Sequence, residues 1–597
     1  MTTNETESGE KMDRLNANLA KVEALSLRLT EVLGRRKPLR DELNSPEPEV
    51  FLNAATAYWQ SMVDNPGKVI ENQLDLWSKS VKSFVDAQNI MLKGQFSAPQ
   101  DDTPSDRRFS HPMWKSHPYF NLLKQQYMRN SEAIKAAVGE LEGLAPKDKQ
   151  RIEYFSNQIV DMMSPTNFLG TNPDALERAV ETEGQSLIDG LQNMISDLEA
   201  NNGELLVKLA DEDAFEIGRN IATAPGKVVF RNRMFELLQF SPTTDTVHEI
   251  PLIIFPPWIN KYYILDLKEQ NSLIRWCVAQ GYTVFVVSWV NPDLSHADVG
   301  LEDYIEEGFL EAIAQVKDIT KQKQVNAVGY CIAGTTLHLT LSLMKQRGDK
   351  SVKSATFFTT LTDFSDQGEF TPFLQDDFID GIDDEIEEFG ILRSFIMQRT
   401  FSFLRSNDLI YGPAIKSYFM GEAPPAFDLL FWNGDGSGLP GKMAHQYLRE
   451  LCQANKFVGE GVELCGATLK ISEVDVPICS VTCETDHIAR WKDCYHGFQQ
   501  TKSRSKTFIV SQSGHIAGIV NPPSKKKYGH YTNTDLKGSA TDWMNGATFQ
   551  EGSWWPHWDG WLSKKSGKKI AARQPGDETH PALGEAPGSY VLKKAYK

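Results

Sequence analysis

Six short apolar segments limit what this chain can fold into: IPLIIFPP (250–257), TVFVVSWV (283–290), VNAVGY (325–330), SATFFTTL (354–361), VPICSVT (476–482) and KTFIVSQ (506–512). Each is almost continuously hydrophobic instead of alternating, which is the pattern of a strand covered on both faces. Helical segments such as DYIEEGFLEAIAQVKDITKQ (303–322) separate them. That alternation predicts an α/β domain with a mainly parallel sheet. Between about 364 and 470 the strand pattern lapses, leaving the acidic run DDFIDGIDDEIEEFG (376–390) and the aromatic stretch FDLLFWNGDG (427–436). An insertion that long is expected to form a cap over an active site, with the acidic run as a solvated helix face.

The chain ahead of these segments reads differently. Residues 1–212 are predicted to form a mainly helical domain and 213–597 the α/β domain with its cap. Leu15, Leu19, Val22, Leu25, Leu29 and Val32 mark one apolar stripe that stops at GRRKP (34–38). It can dock on its own protein or meet a partner or second copy. A second helix is predicted over VIENQLDLWSKSVKSFVDAQNIMLKG (69–94), then a linker at SAPQDDTPSD (97–106). Residues 1–105 are thus the part expected to be flexible or to contact a partner.

A net charge of −17 argues against nucleic acid as a partner. The polar start of the chain carries no secretory pattern, and nowhere do about 18 apolar residues run uninterrupted. The seven cysteines form no Cys-x-x-Cys pair, so neither a metal site nor a redox pair is expected, and reduced thiols in a cytoplasmic protein fit best.

One cysteine stands apart. In AVGYCIAGTTLH (327–338), Cys331 follows a short strand and opens an apolar helix, with Gly329 two before it and Ala333 two after. Strand, sharp turn and helix are the setting of a nucleophile elbow, in which the next backbone N–H, that of Ile332, points at a developing oxyanion. A thiol needs a base. Two later strands supply one with its acid, in the order nucleophile, acid, histidine: VPICSVTCETDHIARW carries Asp486, and KTFIVSQSGHIAGIVNPP carries His515, with Gly514 fitting a tight turn. His487 is expected to be a supporting donor. Cys479, Cys483 and His338 are expected to be core residues. Sulfur in the elbow suits acyl transfer from a thioester, because the acyl-enzyme is itself a thioester.

Beyond this triad, the chain resembles the class I polyhydroxyalkanoate synthases of the α/β-hydrolase superfamily, which act without a second subunit. The resemblance runs from about residue 106 to the carboxyl end. It is carried by DRRF (106–109), SPTNFLGTNPDAL (164–176), PGKVVFRN (225–232), PLIIFPPWINKYYILDL (251–267), SWVNPD (288–293) and LRSNDLI (404–410). PPAFDLLFWNGDGSGLPG (424–441), ETDHIARW (484–491), SGHIAGIVNPP (513–523) and GSWWPHWDGWL (552–562) continue it. The resemblance implies Cys331 as nucleophile, His515 as general base, and Asp486 as an acid that helps activate the substrate hydroxyl. It implies polymerisation of (R)-3-hydroxyacyl-coenzyme A, short chain for this class, with coenzyme A as product and no cofactor. It also implies a homodimer in the bacterial cytoplasm, attached to polymer granules and their phasins.

Ile259, in the PPWIN loop, is the expected second oxyanion donor, and Arg405 and Arg490 are candidate partners for coenzyme A phosphates. Three residues depart from the pattern: Ala333 replaces a glycine of the elbow box, Val290 a basic residue, and Tyr411 a tryptophan. Elbow and triad fit two other readings. One is a cysteine hydrolase, of the dienelactone hydrolase or polyester depolymerase kind. The other is a granule scaffold that has lost activity.

Overall fold

The computed structural model describes residues 20–34, 101–141, 143–201, 203–366 and 368–596. The chain divides into two units, one of 1–211 with 399–425, the other of 212–398 with 426–597.

The first unit is helical. Its principal helices are α1 (Pro118–Gly139), α2 (Pro146–Met162) and α3 (Gln185–Ala200). Proline opens α1 and α2, where its missing N–H has no intrahelical partner to lose. A helix over 20–34 lays Leu25 against Ile188 and Ile195 of α3, flanked by Leu29 and Leu191. Arg28 pairs with Glu199 at 2.6 Å beside that contact. The stripe therefore docks on its own protein here, although Val22 faces solvent. Leu15, Leu19 and the helix expected over 69–94 lie outside the described residues. Segment 399–425, expected in the cap, packs in this unit instead. The Tyr418 hydroxyl donates to Asp197 at 2.8 Å, and the Asn193 amide donates to the Ser417 carbonyl at 3.2 Å. Hydropathy could not show this, because the partners stand more than 220 positions apart.

An eleven-stranded sheet organises the second unit. Its strands are β1 (Gly226–Arg231), β2 (Phe235–Phe240), β3 (Leu252–Phe255), β4 (Val284–Trp289), β5 (Val325–Tyr330), β6 (Val352–Phe358), β7 (Ile478–Cys483), β8 (Lys506–Ser511), β9 (His530–Thr532), β10 (Thr548–Gln550) and β11 (Gly584–Glu585). They lie in the order β10-β9-β8-β7-β6-β5-β3-β4-β2-β1-β11. The six segments read from hydropathy form its parallel centre, β4-β3-β5-β6-β7-β8. Antiparallel strands extend it on both sides. Helix α4 (Ile332–Gln346) follows β5 directly and is buried along most of its length.

One expectation needs correcting. The acidic run forms helix α5 (Asp376–Phe389), but it is not merely a solvated face. Glu385 is buried and bound by Arg393 at 2.5 Å, and Arg449 bridges Asp380 and Asp383. The tail after residue 563 is tied into the sheet. Its β11 pairs with β1, and the buried Glu236 of β2 accepts the N–H groups of Ser589 and Tyr590 at 2.8 and 2.9 Å. No described helix is long and apolar enough to cross a membrane.

Candidate active site

Cys331 sits between β5 and α4 with φ 53° and ψ −125°, a conformation that side chains avoid unless their surroundings impose it. The imposing contacts are close. A Cβ on Gly329 would come within 2.6 Å of the Gly334 Cα, and one on Gly334 within 2.0 Å of the Thr360 hydroxyl. Glycine at both positions lets strand and helix converge under the bent residue. Ala333 lies in the first turn of α4, buried, with no left-handed backbone to strain its methyl. Ala333→Gly is therefore expected to lower unfolding free energy by about 0.5–1 kcal/mol, measured by urea denaturation, because glycine costs a helix that much against alanine.

Hydrogen bonds join the carboxyl ends of the neighbouring strands. The Cys331 N–H donates to the Phe358 carbonyl at the end of β6, Thr359 N–H to the Val481 carbonyl of β7, and Glu484 N–H to the Ser511 carbonyl of β8, each at 2.8 Å. This row brings the turns carrying Cys331, Asp486 and His515 to one edge of the sheet, where open α/β sheets place their chemistry. His515 Nδ1 lies 2.7 Å from Asp486 Oδ2. The other oxygen, Oδ1, accepts the N–H groups of Ile488 and Ala489 at 2.8 and 2.9 Å. Both carboxylate oxygens are thus engaged, and the side chain is sealed from solvent. The Cys331 thiol is close enough to His515 for the two groups to interact electrostatically.

Burial opposes a charge on His515, but Asp486 and the adjacent Cys331 outweigh it and raise the imidazole above its ordinary range. Tyr330 lies under the ring, 6.0 Å between centroids, and its hydroxyl donates to the His515 carbonyl at 3.2 Å. The tight turn before the histidine puts its left-handed residue at Ser513, φ 78°, and not at Gly514 as its glycine suggested. His487 is half-buried, and the Asp486 carboxylate goes to His515. Cys331 is partly exposed, whereas Cys479, Cys483 and Cys494 are buried and their thiols pushed up by desolvation. His338 is a core histidine: stacked on Phe357 and bonded to the Gly334 carbonyl, it is lowered by burial to about 4.

Ile332 is the first residue of α4, so its N–H has no partner within the helix and lies at the positive end of the helix dipole. Ile259 belongs to the loop leaving β3, whose Phe255 is paired with Gly329 just before the elbow. A buried cluster that hydropathy could not reveal holds this loop. Asp435 accepts the Lys261 ammonium at 2.8 Å and the Tyr263 hydroxyl at 2.9 Å. Ser437 N–H bonds the Ile259 carbonyl at 3.2 Å, and the Trp432 indole bonds the Lys261 carbonyl at 2.7 Å. The tryptophans of GSWWPHWDGWL, at and within α6 (Trp555–Leu562), support the histidine loop. Indole N–H groups of Trp554 and Trp555 bond the Gly518 and Ile519 carbonyls at 2.8 and 2.9 Å.

The two candidate phosphate partners belong to different units. Arg490 is paired with Asp366 at 2.6 Å and Asp493 at 2.7 Å, and Arg405 is an exposed residue of the first unit. Val290 is buried, and its N–H bonds the Met234 carbonyl. Among the described residues no cluster of three or more histidine, cysteine or carboxylate groups could hold a metal.

Residues 105–277 match the family described as "Poly-beta-hydroxybutyrate polymerase (PhaC) N-terminus", and residues 251–522 match "alpha/beta hydrolase fold". The poly(3-hydroxyalkanoate) polymerase subunit PhaC of Cupriavidus necator is 39% identical, over 88% of this chain and 90% of its own length. The poly(3-hydroxyalkanoate) polymerase of Methylorubrum extorquens is 37% identical over 91% and 93%. The corresponding subunit of Rhizobium etli is 36% identical over 91% and 86%.

Proposed function

This chain belongs to the poly(3-hydroxyalkanoate) polymerase family, and from that premise we propose that it joins short-chain (R)-3-hydroxyacyl units from coenzyme A thioesters through an acyl-Cys331 intermediate. The observation that carries this reading is a partly exposed thiol on a strained elbow, beside a histidine whose imidazole is anchored to a sealed carboxylate.

Raised by the Asp486 carboxylate beside it, the imidazole is basic enough to take the Cys331 proton. The Cys331 thiolate attacks the thioester carbonyl, and the Ile332 N–H, with Ile259 N–H as the second donor, holds the oxyanion. Collapse breaks the carbon–sulfur bond to coenzyme A, whose thiolate leaves with the proton of His515. Neutral His515 then takes the proton of the 3-hydroxyl on a second hydroxyacyl unit. That oxygen attacks the acyl-cysteine, forming an ester and returning Cys331 as thiolate beside imidazolium. Repetition lengthens the polyester. His515 is the base for both halves, because Asp486 already accepts three N–H groups and faces no solvent. Short chains are assigned by the class resemblance, as are a homodimer and attachment to the granule surface in the cytoplasm.

Purified protein mixed with 3-hydroxybutyryl-coenzyme A is expected to release free thiol while the solution turns turbid with polymer. Release of thiol with only soluble 3-hydroxybutyrate would mean that water resolves the acyl-enzyme, and the chain would then be a hydrolase. No thiol release at all would support the inactive scaffold.

A further inference from the structure

We propose that the exposed lysines Lys525, Lys526 and Lys527 form the phosphate-binding subsite for the coenzyme A portion of the substrate, an inference that rests on the polymerase reading. The argument begins with topology. β8 and β9 pair antiparallel, Ser511 opposite His530, so the residues between them form one loop closed at its base. Gln512 N–H bonds the Gly529 carbonyl and Gly529 N–H bonds the Gln512 side chain, both at 2.9 Å. That single loop carries His515 near its start and the three lysines near its end.

The two ends are fastened to each other. Gln512 makes that tie through both its backbone and its side chain, and it stands three residues before His515, a separation the chain spans in about 10 Å at most. The Asn521 amide bonds the Tyr528 carbonyl at 3.0 Å, and the Lys527 ammonium lies 5.0 Å over the Tyr528 ring. Trp554 and Trp555 hold the stretch between through the Gly518 and Ile519 carbonyls. The lysines therefore keep a fixed station relative to the catalytic imidazole, outside the site, while their side chains face solvent.

Charge makes the assignment specific. The protein carries −17 overall, which repels a polyanion, yet loop 512–529 contains three lysines and no acidic residue. Coenzyme A carries its phosphates a pantetheine arm away from the thioester sulfur, so they lie outside the pocket when the carbonyl meets Cys331. Arg490 has its charge answered by two aspartates, whereas this loop offers unanswered charge on the same segment as the base.

The test is the variant Lys525→Gln/Lys526→Asn/Lys527→Gln, assayed by thiol release from 3-hydroxybutyryl-coenzyme A and from S-(3-hydroxybutyryl)pantetheine, which has no phosphate. KM for the coenzyme A thioester is expected to rise about tenfold with kcat within about twofold of the parent, as loss of uniform binding requires. Kinetics with the pantetheine thioester should not change, which also reports an intact fold. Added salt should raise the parent's KM for the coenzyme A thioester and leave the variant's nearly unchanged. An unchanged KM for the coenzyme A thioester, or equal damage with both substrates, would overturn the subsite. If the parent releases thiol from neither substrate, the polymerase reading fails and takes the subsite with it. Should the triple variant precipitate, Lys527→Gln alone is read the same way, with a smaller rise of about twofold.

Discussion

Alanine at position 331 is expected to stop both coenzyme A release and polymer formation, with a rate at least about 10⁴-fold below the parent, because removing the nucleophile leaves only binding and oxyanion stabilisation. Thiol release from 3-hydroxybutyryl-coenzyme A measures the first, and turbidity the second. The loss should not be structural. Cys331 is partly exposed, alanine has nearly the same β-carbon geometry, and the backbone strain at φ 53° is held by Gly329 and Gly334 rather than by the thiol. Thermal unfolding of the variant should accordingly stay close to the parent's. A variant that kept releasing coenzyme A at the parent's rate would show that the elbow cysteine is not the nucleophile.

Asp486→Asn carries the second large effect. The asparagine can still accept the N–H groups of Ile488 and Ala489, but the charge that holds the His515 proton is gone. Turnover is expected to fall by about 10³–10⁴, since the imidazole loses both its orientation and the tautomer it needs. A second readout separates charge from shape. In the parent, His515 titrates above its unfolded value near 6.5, so its pairing stabilises the fold fully below that pH. That stability is lost as pH rises through the folded value, up to about 10. Unfolding free energy measured from pH 6 to 10 should therefore fall with pH in the parent, and the His515 contribution to that slope should vanish in Asp486→Asn. Equal slopes in the two proteins would mean that Asp486 does not control the imidazole.

The parallel centre of the sheet was legible because its strands are covered on both faces and read as unbroken apolar runs. β2 was not. It too is buried throughout, but it carries Glu236 and Gln239, which look like surface residues until distant partners appear. Gln239 is bonded to the Gln574 carbonyl and the Gly576 N–H, more than 330 positions along. β9, β10 and β11 have two or three residues each, too few to show a period. The turn at Cys331 and the pairing of Asp486 with His515 could be read from order and strand context alone. Asp435 could not, since nothing local distinguishes it from a loop carboxylate, and only folding brings Lys261 and Tyr263 to it. The lapse of strand pattern from 364 to 470 marked an insertion but could not say which unit its middle would join.

The grip of Glu236 on Ser589 and Tyr590 has a consequence for how the molecule is made. Those donors are synthesised 353 and 354 positions after the carboxylate they satisfy. Until they emerge from the ribosome, the buried carboxylate has Arg231 on one oxygen but lacks donors to the other, and closing the sheet around it would be costly. Nascent catalytic domain should therefore stay open, and attractive to chaperones, through most of translation.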